Sequence, residues 1–449
     1  MLVYRKEIPL IARPDVLVCG AGLAGIGAAV AAARLGAKTL VVERNGFAGG
    51  FFTAVIGSAF DGFVDERTGI PVVGGIVFEM LERMQVIAPG QGPHLRYNVN
   101  GDLSFVEMHP ERVIPRCDPE RFKRAADAIL LDAGVELLYH TQVADVIATG
   151  GRVEHVILSN KAGLVAVHPR VVIDCTGDGD VAAWAGAAYE KAEPLQPMSL
   201  HFRIGDLAPS FELRRRCAQV LQEAHARGEI GLYGGPYPAT FSGNDVYFNA
   251  TRIPGDNTVP ADWTHAEVQG RQDAWRMFEL WQQYLPEFAD AYFMTSGPTA
   301  GARESRRIVG DVVLTGDDVR AGRQRNDVVV LGAWRLDRHP ATQPGYHDTP
   351  WTPPYAIAYG TLLPRNFENL LVAGRCHSAT SEALASSRVT ATAMGMGQAA
   401  GSAAALALAG QTTLRDLPIT RLQDTLRAAG AILEPPPADA ALDPGDPDW

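Results

Sequence analysis

Residues 15–43 read DVLVCGAGLAGIGAAVAAARLGAKTLVVE. An apolar run, Val16 to Val18, enters a glycine cluster of Gly20, Gly22 and Gly25. An alanine-rich helical pattern follows, then a second apolar run from Thr39 to Val42 that ends on Glu43. Strand, tight turn, helix, strand and acid stand in the order a dinucleotide site needs. Gly20 permits the turn, Gly22 lets the backbone approach a pyrophosphate, and Gly25 lets the helix pack closely on the strand. The helix N-terminus offers free N–H groups and a positive dipole end to phosphate. Glu43, about twenty residues past the glycines, can accept hydrogen bonds from a ribose.

Working outward, a chain of 449 residues is too long for one simple core, so two or more domains are expected. The composition, 47% hydrophobic and 20% charged, is that of a globular protein. The net charge of −11 argues against nucleic acid as a partner, because basic residues cluster only locally, at 214–216 and 303–307. The opening MLVYRKEIPLIARPD has no long apolar run and no small-residue cleavage site, so no signal peptide is expected. The uncharged stretch 389–414 is long enough to span a membrane. It is built of Ala, Gly, Ser and Thr rather than Leu and Ile, so a closely packed buried helix is the expectation. The five cysteines are scattered without a CxxC, which fits a reducing, cytoplasmic setting. The histidines lack ligand spacing, so no metal is expected.

Further along, Gly49 and Gly50 allow a second close backbone approach. The spacing predicts a helix over 76–84. Another is capped by Asp118 with Pro119 at its first position. Strands are predicted at 135–139, 143–147, 153–158 and 165–175, then at 200–204, 246–253 and 369–373. An amphipathic helix is predicted over 264–284, with Thr264 as N-cap and Glu267 completing a capping box. Between 194 and 354 the chain turns proline- and tryptophan-rich, and the tail from 434 is rich in Pro and Asp. The domains are therefore expected to be discontinuous: 1–190 with 355–433, an insert at 191–354, and a loose tail at 434–449.

Four further segments carry chemistry. A strand runs into Thr176, Gly177 and Asp178. Another ends at Gly374, before a helix that starts near Val389 and contains Gly395, Gly397 and Gly401. Each of these glycines costs about 1 kcal/mol relative to Ala, so close packing or close approach to a ligand should compensate. The run Arg303, Glu304, Arg306, Arg307 reads by itself as a solvated ion-pair patch. The aromatic and proline-rich stretch 351–364 either lines a pocket or simply packs.

Taken together, GAGLAG with Glu43, IDCTGDGDVA, RESRRIVGD, and NLLVAGR followed by SSRVTATAMGMGQAAG resemble the bacterial FAD-dependent oxidoreductases. These have the glutathione-reductase-type FAD fold and are cousins of the fumarate reductase and thiazole-synthesis flavoproteins. The likeness runs from about residue 15 to about 433. It implies an α/β, Rossmann-like FAD-binding domain with an inserted α+β substrate domain. It also implies that Gly20, Ala21, Gly22, Leu23, Ala24 and Gly25 hold the pyrophosphate and Glu43 the adenosine ribose. By the same resemblance Arg44, Gly49 and Gly50 would lie along the adenosine and phosphates, and Val143 would meet the adenine. Thr176, Gly177 and Asp178 would close over the nucleotide, and Gly374 and Arg375 sit where relatives contact the ribityl and pyrophosphate. Val389, Thr390 and Ala391 would present N–H groups to the flavin. Arg375 stands where many such proteins carry an Asp. No CxxxxC pair and no second GxGxxG are present, which argues against a disulfide reductase.

A flavin dehydrogenase also needs an acid or base for the second proton and a pocket that excludes water. The candidates are His377, which follows Arg375, His201 in the strand pattern SLHFRI, Tyr355, His109 and His347. Arg303, Arg306 and Arg388 are candidates to bind a carboxylate or to protonate a substrate. The reading is a cytoplasmic dehydrogenase or oxidase that passes a hydride between a small polar molecule and FAD. The electron acceptor and homo-oligomerisation stay open, and no membrane partner is expected. The alternatives are an NAD(P)H-dependent monooxygenase and a non-catalytic flavoprotein.

Overall fold

The computed structural model describes residue 3 and residues 5–90, 117–208, 210–239 and 244–437. Its centre is a five-stranded parallel sheet in the order β17-β8-β2-β3-β4, made of β2 (Val16–Cys19), β3 (Thr39–Val42), β4 (Glu136–Leu138), β8 (Val171–Asp174) and β17 (Leu370–Val372). β2, β3, β8 and β17 are buried along their whole length, as the continuous apolar runs require of strands covered on both faces. Helix α1 (Leu23–Arg34) leaves β2 through Gly20, whose φ of +96° only glycine tolerates easily.

A second sheet, β1-β7-β6-β5, lies over the first: β1 (Leu10–Ala12), β5 (Gln142–Thr149), β6 (Arg152–Asn160) and β7 (Gly163–Val167). Leu17 and Val172 of the first sheet and Val156, Leu158 and Val167 of the second belong to one core between them. The single strand predicted over 165–175 is therefore two strands in two sheets. Pro169, with no N–H to donate, sits at the break.

Other expectations hold closely. α2 covers Ile76–Arg83, and α3 covers Pro119–Asp132 with Asp118 accepting from the Glu120 and Arg121 N–H groups. The uncharged stretch forms α6 (Thr390–Gly410), and no helix among the described residues is long and apolar enough to cross a membrane. The glycines of α6 serve helix packing. A Cβ on Gly397 would lie 1.9 Å from the Ala24 carbonyl oxygen, and one on Gly401 2.0 Å from that of Ala28. α1 and α6 thus touch backbone to backbone at Gly397 and Gly401, whose penalty is offset by that contact rather than by a ligand, while a Cβ on Gly395 would meet the Val330 side chain at 2.5 Å.

The third sheet, β11-β12-β10-β13, is antiparallel: β10 (Phe202–Gly205), β11 (Tyr233–Ala239), β12 (Asp245–Thr251) and β13 (Tyr292–Ser296). It has its own core with α4 (Phe211–Ala226) and α5 (Pro260–Tyr284), in which Phe202, Phe248 and Trp281 meet. Each such fully buried side chain contributes about 1.5–3 kcal/mol. α5 begins one turn before the predicted Thr264, because Pro260 is preset for the first helical position. Thr264 Oγ1 instead donates to the Pro260 carbonyl, and Glu267 accepts from Thr299 Oγ1 and the Ala300 N–H.

Two short pairs complete the chain: β9 (Tyr189–Glu190) with β14 (Arg307–Ile308), and β15 (Val328–Gly332) with β16 (Tyr355–Ala358). Val328 to Leu331 and Tyr355 belong to the same core as α1 and α6. The stretch around 314–336, read from sequence as part of the insert, thus packs with the parallel-sheet body. Residues 351–364 are mostly packing as well. Of the expected tail, residues 438–449 lie outside the described residues.

Candidate active site

A cavity of about 1220 Å³ runs from the glycine turn after β2 to the inner face of the antiparallel sheet. At the first end it is lined by Gly20, Gly22, Leu23, Ala24, Glu43, Arg44 and Gly50, with Val143 of β5 beside them. Ala21, Gly25 and Gly49, predicted as cofactor contacts, are not in the lining. Gly25 acts on the fold instead. A Cβ there would sit 1.9 Å from the Gly20 carbonyl oxygen. Ala21 uses its N–H to bond Glu43 Oε2 at 2.8 Å, which fixes the acid against the turn.

These residues fit a dinucleotide. A Cβ on Gly22 would meet nothing closer than the Gly50 Cα at 4.0 Å, so the space over the turn is open. α1 starts at Gly22 with no side-chain cap and no acid in its first turn, which leaves its N–H groups and dipole for an anion. Glu43 is 8% exposed and accepts three bonds, from Ala21 N and from Asn45 N and Nδ2, and a carboxylate can accept about four.

The turn after β8 is held by a buried acid. Asp174 accepts from Thr176 N and Oγ1 and from Ala182 N. Burial nevertheless pushes its carboxyl up to about 6. Thr176, Gly177 and Asp178 line the cavity, as do Gly374 and Arg375. Arg375 Nη1 lies 2.7 Å from Asp178 Oδ1, which also accepts from Asn257 Nδ2 and Ser305 Oγ. Burial raises the Asp178 carboxyl, but the Arg375 charge and these bonds outweigh it and hold the group below its ordinary value. The Asp178 and Arg375 predictions therefore describe one knot that ties the parallel sheet to Asn257, in the segment after β12. At the α6 N-terminus, Val389 and Thr390 line the cavity, whereas Ala391 is fully buried and its N–H is spent on the Asp61 carbonyl.

The proton-transfer candidates divide sharply. His201 lines the cavity, is 3% exposed, and pairs its Nδ1 with Tyr247 OH at 2.8 Å. Burial, then the charges of Arg303 and Arg252, hold its imidazole well below the usual range, so it is neutral at pH 7. Arg306 also lines the cavity, but it is committed to Asp180 Oδ1 at 2.7 Å and the Asp178 carbonyl. His377 is a correction. It is fully buried outside the lining, with Nδ1 on the Gly374 carbonyl and Nε2 on Ser387 Oγ, and burial pushes it down to about 4. Adjacency to Arg375 in sequence misled, because the Gly374 turn sends the two side chains different ways. Tyr355 is a second correction. It is fully buried in β16, outside the lining, with its hydroxyl on Ser386 Oγ. His109 lies outside the described residues.

The run read as a solvated ion-pair patch is buried: Arg303, Glu304, Ser305 and Arg307 are each under 9% exposed. Sequence reasoning also missed Asn249, Asp337 and His339, which line the far end of the cavity with Arg303 and Arg388, and Arg252, which is bonded to His339 behind that lining. They come from β12, the segment after it, and an irregular stretch, and no local spacing links them. Nor did the histidine spacing foretell that Asp337, His339 and His347 would place their ligand atoms within 4.8 Å of one another. Asp337 Oδ2 is 3.0 Å from His339 Nε2, and Oδ1 is 2.9 Å from His347 Nε2. Arg252 Nη2 stands 3.0 Å from His339 Nδ1. A guanidinium only donates, so Nδ1 accepts and the His339 proton sits on Nε2, facing Asp337. A cation would need that Nε2 lone pair and would leave Nδ1–H against the guanidinium. The cluster is a hydrogen-bond clasp set among cations.

The sequence matches the family model described as FAD dependent oxidoreductase over residues 15–426. The chain belongs to the FAD-dependent oxidoreductase family. It is thus an FAD-dependent oxidoreductase enzyme, and FAD is its cofactor. A 200-residue stretch of this oxidoreductase is 30% identical to the thiamine thiazole synthase of Aeropyrum pernix, covering 41% of this chain and 63% of that protein, so the chain spans less than two thirds of that relative. Among solved structures it is similar to a geranylgeranyl bacteriochlorophyll reductase-like protein from Thermoplasma acidophilum (13% identity, TM-score 0.47, 93% of this chain and 84% of that one). It is also similar to the anhydrotetracycline hydroxylase of Streptomyces rimosus (17%, 0.45, 93% and 65%). The family match carries the assignment.

Proposed function

We propose that this oxidoreductase passes a hydride between a small polar organic substrate and FAD, as a dehydrogenase or oxidase, and that His201 handles the accompanying proton. FAD, when bound, supplies the acceptor or donor of the electron pair. The glycine turn, the α1 N-terminus and Glu43 would hold the nucleotide, and the Asp178–Arg375 knot would brace the wall beside it. The antiparallel sheet with α4 and α5 would form the substrate-side roof that excludes water. The observation that carries the reading is the placement of His201. It is buried at the cavity wall and neutral, one ring nitrogen is held by Tyr247, and the other has no bonded partner among the described residues. A neutral imidazole so placed can take a proton from an O–H or N–H as the hydride leaves carbon.

The test is anaerobic bleaching of the yellow protein by a panel of sugars, amines, hydroxy acids and steroids, followed by air. Bleaching by one class supports the reading, and recolouring in air makes the enzyme an oxidase. Bleaching by NAD(P)H alone would overturn it in favour of a reductase or monooxygenase.

A further inference from the structure

Two buried guanidiniums, Arg303 in the cavity wall and Arg252 behind it, form no direct ion pair among the described residues, and the Asp337 charge reaches both only at longer range. Arg252 is 4% exposed and Arg303 7%. Arg303 Nη1 donates to the Pro197 carbonyl and Ser199 Oγ, and its Nη2 donates to Asn249 Oδ1. Arg252 Nη1 donates to Ser199 Oγ, Asn249 Oδ1 and the Thr251 carbonyl, and its Nη2 to His339 Nδ1. Every one of these acceptors is neutral, and the two side chains share two of them. Neither guanidinium forms an ion pair with a carboxylate among the described residues. Arg388 is the third cation here, and among the described residues Asp337 is the carboxylate bonded within the group, while Asp61 also acts on Arg388. Asp337 is already shared by two histidines and by Arg388, at 3.6 Å. Glu304, the next acid, is taken by Arg307.

A buried charge is costly unless it is paired. Burial pushes Arg252 down to about 10, and burial plus repulsion from Arg252 and Arg388 lowers Arg303 as well, yet arginine stays charged at neutral pH. Arg303, Arg388, Asn249 and His201 all line the cavity, so an anion could reach this charge.

Resting on the hydride-transfer reading, we propose that Arg303, backed by Arg252, receives a carboxylate of the substrate, so that the enzyme's substrates are small organic acids. The carboxylate supplies the direct ion-pair partner that Asp337 does not, and sits in the same cavity wall as His201. It also offsets the two charges that depress the His201 imidazole, so binding the acid raises the affinity of His201 for the proton it must take. Substrate recognition and proton transfer are thereby coupled.

Calorimetric titration of the FAD-loaded enzyme with propionate and benzoate, and with propionamide and benzamide as neutral twins, tests this. Saturable binding of a carboxylate at least tenfold tighter than its amide is expected. Arg303→Gln should weaken it at least tenfold with FAD content unchanged. Asn249→Asp places a carboxylate between both guanidiniums. It should raise Tm and weaken propionate binding at least tenfold, and it keeps the proposal testable if Arg303→Gln does not fold. Amides binding as tightly as acids, no carboxylate binding at all, or variants that bind acids like the parent would overturn the proposal. So would loss of FAD from both variants, which would assign the anion to the cofactor. Bleaching by a neutral substrate, with no carboxylate binding, would sink this inference and leave the hydride reading standing.

Discussion

The two ends of the cavity are built in opposite ways. The end at α1 is made of backbone: glycines without Cβ atoms, an uncapped helix start, and one acid pinned to the turn at Ala21. The end at the antiparallel sheet is made of long charged side chains, Arg252, Arg303 and Arg388, held by neutral acceptors and one overshared carboxylate. A backbone site binds through dipoles and needs no counter-charge when empty. A side-chain site buries full charges and is tense until an anion arrives. Substitutions at the first end should therefore separate cleanly into those that break the fold and those that only release cofactor. At the second end, binding and stability should trade against each other.

The largest expected effect tests that separation. Gly397→Ala drives a Cβ into the Ala24 carbonyl and should cost about 3 kcal/mol or more, read as a fall in Tm or failure to fold. Gly22→Val has open space and should fold with Tm little changed while losing its yellow colour. Equal behaviour of the two would erase the distinction. Next, His201→Asn should slow flavin reduction by substrate about 10²–10⁴-fold with FAD retained, and unchanged single-turnover reduction would make His201 mere wall. Because burial and two arginines depress His201, the acid limb of kcat/KM should fall below the ordinary histidine value of about 6.5. In Asn249→Asp the limb should move up.

Smaller still, Glu43→Ala should weaken FAD binding about 10–100-fold, the value of one or two hydrogen bonds to a charged group, as measured by dialysis of the holoenzyme. Smallest on activity is His377→Asn, which should leave flavin reduction nearly unchanged and cost about 1–3 kcal/mol of stability from two lost buried bonds. The sign of its pH effect is fixed. His377 titrates near 4 when folded and near 6.5 when unfolded, so the unfolded chain binds the extra proton between these values. Its contribution is constant above about pH 6.5 and is lost as pH falls towards 4, and the variant should show a shallower decline there.

Legibility followed the same divide. Val16, Gly20, Gly22 and Glu43 were readable because strand, turn, helix and acid lie within thirty residues and each step is a local backbone requirement. Asp118 and Pro119 were readable as a cap for the same reason. The α6 glycines announced close contact but not its partner, since α1 is more than three hundred residues away. His377 looked catalytic from its neighbour Arg375, and only the turn at Gly374 takes it out of the cavity. Arg303 read as solvated because charge runs usually are, and nothing local revealed that Pro197, Ser199 and Asn249 would close over it.

The sequence by itself therefore determined the parallel sheet, the glycine-turn end of the cavity and the cofactor, because glycine spacing and apolar runs act over a turn or a strand. Only the tertiary structure decided the other end: that His201 faces the cavity, that His377 and Tyr355 do not, and that three distant arginines converge around one carboxylate. Burial and unpaired charge arise from what closes around a residue, and its sequence neighbours do not record that.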